Sequence, residues 1–116
     1  MKQFAFSRRS RLRLKNDFQA VFAAGKKTAT KDLVAWHCLA AGQMKVGLMV
    51  SKKTGGAVRR NKIKRLLREA IRLSHNEFME GVRLIIYPRA GCRIYDLSDA
   101  IGAVETLRRK AKIFKE

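Results

Sequence analysis

Hydrophobic positions along this chain repeat with two different periods, and the switches between them mark the elements. Phe18, Val21 and Phe22 stand at i, i+3 and i+4, the spacing of one helix face. They predict a short helix with Asn16 as its N-cap and Asp17 near the positive end of its dipole, running to about Ala24 and closed by Gly25. From Asp32 to Ala40 the period becomes two, with Val34, Trp36 and Cys38 on one side and Leu33, Ala35, His37 and Leu39 on the other. Met44 to Val50 alternates again, Met44, Val46, Leu48 and Val50 against Lys45, Gly47 and Met49. The short connection Ala41, Gly42 and Gln43 predicts that these two strands form an antiparallel hairpin. A weaker strand signal covers Lys27 to Thr30. Gly55 and Gly56 then break the pattern ahead of the strongest helix, about Ala57 to Leu73. Val82 to Tyr87 is apolar without alternation, which predicts a central strand buried on both faces, and Pro88 stops it. A last helix, about Leu97 to Phe114 with Asp96 or Ser98 as its cap, places Leu97, Ile101, Val104, Leu107, Ala111 and Phe114 at helical spacing. Helix, strands, helix, strand, helix is the order of an α+β layer of helices on a small sheet.

Length and composition narrow this picture. The 116 residues suit one domain, and a hydrophobic content of 47% supports a packed core rather than disorder. Residues 1–14 read as a basic arm, in which Arg8, Arg9, Arg11 and Arg13 interleave with Ser10, Leu12 and Leu14; residues 15–116 form the α+β domain. Lys and Arg number 27 against 9 acidic residues, a formal net charge of +18. A compact domain with that excess repels itself until a polyanion neutralises it. Nucleic acid fits, because each contacted phosphate releases counterions. An anionic membrane surface fits less well, since the basic residues are not confined to one amphipathic helix. Cys38 and Cys92 lack CxxC spacing and a partnered His, so no zinc site is expected and both read as reduced, buried hydrophobes. No signal peptide and no membrane span is legible, and the expected location is the cytoplasm.

The segment from Ser51 to Glu69 carries the functional signal. On a helical wheel Ile63, Leu66, Leu67 and Ala70 gather on one side. Asn61, Lys64, Arg65, Arg68 and Arg72 gather on the other, flanked by Arg60 and Lys62. An ordinary solvated face mixes Glu with Lys at i, i+4, whereas here Lys64 and Arg68, and Arg68 and Arg72, are like charges at that spacing, with Glu69 the only relief nearby. A cationic ridge for a polyanion is the better reading of that repulsion.

These residues also match a family. Lys52-Lys53, the Gly55-Gly56-Ala57-Val58 turn and Arg60-Asn61-Lys62-Ile63-Lys64-Arg65-Leu66-Leu67-Arg68-Glu69 closely resemble the signature of the bacterial ribonuclease P protein family. Asp17-Phe18-Gln19 with Phe22 and Gly25-Lys26 is similar to the family's first helix, and Val46-Gly47-Leu48 before Ser51-Lys52-Lys53 to its second strand. Two positions depart from the pattern. Lys62 stands where the family usually has Arg, keeping the charge but losing the planar fork, and Gly56 stands where Asn or Lys is more common.

The resemblance implies three helices on a four-stranded sheet, ordered α-β-β-β-α-β-α, with a left-handed crossover carrying the signature helix. It implies two partners, the catalytic RNA of ribonuclease P and precursor tRNA, with no membrane and no obligate protein partner. Arg59, Arg60, Asn61, Lys62, Lys64, Arg65, Arg68 and Arg72 would contact the RNA subunit. Phe18, Phe22, Trp36, Lys52, Lys53, Arg9, Arg11 and Arg13 would form the cleft for the single-stranded 5′ leader. Aromatic faces beside cationic groups are what unpaired RNA requires, although two Phe at i, i+4 are also a common core pattern. The acidic residues are scattered, and His37 and His75 lack evident partners, so no catalytic or metal-binding residue is expected in the chain itself. Mg²⁺ would be bound by the RNA subunit, which would cleave the phosphodiester. A ribosomal protein, a DNA-binding regulator with the basic helix in a major groove, and a self-contained nuclease are the rival classes.

Overall fold

The computed structural model of the chain describes residues 15–40, 42, 44–78 and 81–113. The expected arm of residues 1–14, with Arg9, Arg11 and Arg13, lies outside them, as does Phe114. Helix α1 (Lys15–Ala24) is followed by β1 (Lys26–Ala29), β2 (Leu33–Leu39) and β3 (Lys45–Leu48). Helix α2 (Ala57–Ser74), β4 (Val82–Pro88) and α3 (Leu97–Ala111) complete the chain. The expected order and the weak first strand are both present. Asn16 lies inside α1 rather than capping it.

The strands form one mixed sheet in the order β1-β2-β4-β3. β4 pairs antiparallel with β2, Trp36 opposite Ile85, and parallel with β3, Gly47 opposite Ile85. The expected β2–β3 hairpin is therefore incorrect: those strands do not pair, and β4 lies between them. The reason is the apolar run of β4. Ile85 and Ile86 point to opposite faces and both are fully buried, which only a central strand with helices on both sides achieves. The antiparallel β2–β4 ladder continues past Leu39 and Val82, where Ala40 N–H donates to the Gly81 carbonyl at 2.8 Å. Gly81 has φ +75° there, and a Cβ would sit 2.1 Å from the Ala40 oxygen, so this close approach requires glycine.

Each sheet face has its own core. Leu33, Ala35, Val46, Leu84 and Ile86 join Ile63, Leu67 and Ile71 of α2 and Val104 and Leu107 of α3 in the larger one. On the opposite face Val21 of α1 covers Ile85, with Phe18, Trp36 and Cys38 packed around them. Helix α3 begins with a capping box, Asp99 N–H donating to the Asp96 carboxylate while Asp99 receives the Asp96 N–H. It ends earlier than the sequence pattern suggests, because Lys112 turns left-handed (φ 57°). The N–H groups of Lys112 and Ile113 then close on the Arg109 and Arg108 carbonyls, and Ile113 folds into the core.

Candidate nucleic-acid interface

Helix α2 is held by its apolar stripe. Ile63, Leu67, Ala70 and Ile71 are buried and Leu66 packs against them, which leaves Asn61, Lys62 and Arg65 exposed and Arg60, Lys64, Arg68 and Arg72 half-buried along the flanks. Its first turn contains no acidic residue and Gly56 makes no side-chain cap, so the positive end of the dipole adds to the field of Lys52 and Lys53. Those two lysines are exposed on the single 3₁₀ turn, Lys52–Thr54, that joins β3 to α2. That 3₁₀ turn and strand β3, not the α-helix and tight turn of a helix-turn-helix reader, stand directly before α2.

The ridge is not electrostatically uniform. Arg72 forms a bidentate pair with Glu69, its Nε donating to Oε2 at 2.9 Å, and that hydrogen bond holds the Glu69 carboxyl below its ordinary pKa. Charge is thus locally balanced at the C-terminal end of α2. At the N-terminal end the Arg59 guanidinium donates to the carbonyls of Ile94 and of Cys92, the latter at 3.2 Å. Arg59 ties α2 to the loop before α3, while the neighbouring Arg60 points to the other flank. The acidic side chains described elsewhere are similarly engaged: Glu77 with Arg108, Glu105 with Arg109, Asp32 with the Arg93 N–H, Asp96 and Asp99 in the helix cap. Among the described residues no three His, Cys, Asp or Glu side chains converge as a metal set, and no helix is long and apolar enough to cross a membrane.

A groove of about 590 Å³ opens where α1, the ends of β3 and β4, and α2 meet. Phe22, Met49, Ser51, Tyr87 and Lys64 are among its walls. Phe22 contacts Trp36 edge to face, with ring centroids 5.5 Å apart. Phe18, in contrast, belongs with Val21 and Ile85 in the smaller core. The structure thus joins Phe22 and Trp36 and sets Lys52 and Lys53 directly after the groove residue Ser51. It also adds Tyr87 and Met49, which the sequence reading missed because each reads as ordinary strand-end hydrophobe. The alternation of β4 could have placed Tyr87 on the α1 side, but only the register with β2 and β3 brings it near Phe22.

Comparison with known proteins agrees with the fold. The sequence model of the family described as Ribonuclease P matches residues 6–112. The chain is 35% identical to the ribonuclease P protein component of Brevibacillus brevis over 111 residues, covering 94% of this chain and 88% of that one. It is 33% identical to that of Bacillus velezensis, covering 94% and 95%. Among solved structures it is similar to the Staphylococcus aureus RNase P protein, with a TM-score of 0.81, 29% identity and coverage of 91% and 98%. The Thermotoga maritima RNase P protein superposes with a TM-score of 0.74 at 28% identity, covering 85% and 96%.

Proposed function

The chain belongs to the ribonuclease P protein family, and from that premise we propose that it is the protein subunit of a ribonuclease P holoenzyme, binding the catalytic RNA through α2 and the 5′ leader of precursor tRNA through the α1 groove. One observation supports the pairing of these two sites above all. Lys64 belongs to the cationic face of α2 and also lines the groove that contains Phe22 and Tyr87. An RNA lying along α2 and a single strand entering the groove are therefore held side by side. The field of Lys52, Lys53, Arg60 and Lys64 lowers the repulsion between two polyanions brought that close. Aromatic faces suit a leader of variable sequence, since every base can stack on them.

In this reading the protein contributes binding and placement. Hydrolysis, and the Mg²⁺ that assists it, belong to the RNA subunit. Arg59 also fixes the α2–α3 junction through the Ile94 and Cys92 carbonyls, and these two bonds leave its charge and its remaining N–H donors for RNA.

The test is a comparison of precursor and mature tRNA binding to the reconstituted holoenzyme. Phe22→Leu and Tyr87→Leu keep apolar volume but remove the ring faces. Each is expected to weaken precursor binding by about five- to tenfold, in line with the loss of one base stack, and to leave mature tRNA binding unchanged. Equal losses for both ligands would assign these rings to packing alone.

A further inference from the structure

Tyr95 is a large aromatic residue left 59% exposed at the start of α3. It immediately precedes the Asp96 cap of α3, where an apolar side chain ordinarily folds back on the residue four positions into the helix. That residue is Ala100, whose single methyl offers almost nothing to cover the ring. Tyr95 is nevertheless fixed. Its N–H donates to Asp99 Oδ2 at 2.9 Å, and the preceding Ile94 carbonyl accepts from Arg59. The Arg59 guanidinium itself lies 4.7 Å from the ring centroid. Backbone restraint on both sides and a cation against the ring hold an exposed aromatic in place before any partner arrives, which reduces the ordering cost of binding.

The surroundings indicate what that partner is. Val58, 85% exposed, adjoins Arg59 on the first turn of α2, and Lys62 follows Val58 by one turn. The patch is thus an apolar and aromatic island beside the cationic ridge. Asp96 and Asp99 at the α3 end repel phosphate, so a backbone held there runs along α2 while a base reaches the ring. By the turn of the helix, Arg59 and Tyr95 stand on the flank of α2 away from Lys64 and the groove.

We propose that Tyr95 is a stacking platform for an unpaired base of the RNA subunit, on the flank of α2 opposite the leader groove. This rests on the reading of α2 as the surface for that RNA. A bacterial ribonuclease P RNA transcript is titrated with the parent protein, Tyr95→Ala and Tyr95→Phe, with thermal melts of each protein alone. Tyr95→Ala is expected to bind about tenfold more weakly, Tyr95→Phe to restore binding, and both to keep the parent's melting transition and dependence on salt. Discrimination between precursor and mature tRNA should be unchanged by either. Parent-like affinity for Tyr95→Ala would remove the platform while leaving the role of α2 intact. A loss accompanied by a lowered melting point and no rescue by Phe would make the ring a structural cover. A selective loss of precursor binding would overturn the assignment to the RNA subunit. If the parent protein itself fails to bind the transcript, the α2 reading and the platform fall together.

Discussion

Neighbouring residues of the same type do different work in this protein, and the partners of each side chain separate them. Arg59 and Arg60 are adjacent in a strongly basic helix, yet Arg59 is bonded to two loop carbonyls and stacks on Tyr95. A helical wheel shows which side a residue faces but not what stands there, so the role of Arg59 was hidden in the sequence. His37 shows the same contrast among titratable groups. It is only 7% exposed on β2, with Nε2 3.1 Å from Thr28 Oγ1 and Lys26 opposite it on β1. Burial first, and the Lys26 charge second, lower its pKa below the ordinary value of 6.5. The folded protein therefore prefers neutral His37. Its contribution to stability is present above the unfolded pKa and is lost as pH falls through the folded one. Denaturant melts between pH 7.5 and 5.5 should show stability declining toward acid, with a shallower decline in His37→Gln. Identical slopes for the two proteins would place the pH dependence elsewhere.

At the level of elements, α2 is where sequence and structure agree most closely. Its apolar stripe emerged on the core side and its charges on the outer side, because helical periodicity alone determines that division. Lys62 and Arg65 are exposed on the outer side, and the Glu69 carboxylate is engaged by Arg72. Replacing both with Ala should reduce the slope of log affinity against log salt for the RNA subunit by roughly 1.4–1.8, about 0.7–0.9 per lost phosphate contact. An unchanged slope would mean that neither side chain meets a phosphate. Strands were less legible than helices. Alternation correctly assigned the faces of β2 and of Met44 to Val50, since the pleat demands it. Alternation does not name a strand's partner, and the short link from Ala40 to Met44 suggested the wrong one. The double-sided burial of Ile85 and Ile86, already evident as an unbroken apolar run, is what draws β4 between β2 and β3.

Across the whole molecule, the inserted β4 strand is also what makes the candidate site. It brings Tyr87 into one groove with Phe22, and the chain leaves that groove at Ser51 through Lys52 and Lys53 to reach α2, whose Lys64 lines it again. The sequence supplied the parts, through family resemblance for the aromatics proposed to meet the leader and through charge and periodicity for α2. Their junction at Lys64 depends on tertiary register and could not be read from spacing. In the proposed function, 27 basic against 9 acidic residues would act on two fronts, holding a polyanion and easing the approach of a second one. The most direct measurement of that account is 5′-leader cleavage of a precursor tRNA at low Mg²⁺, by bacterial ribonuclease P RNA with and without this protein. Cleavage that requires both components, with none from the protein alone, is the predicted result. Tight RNA binding with no stimulation of cleavage at any Mg²⁺ concentration would contradict it.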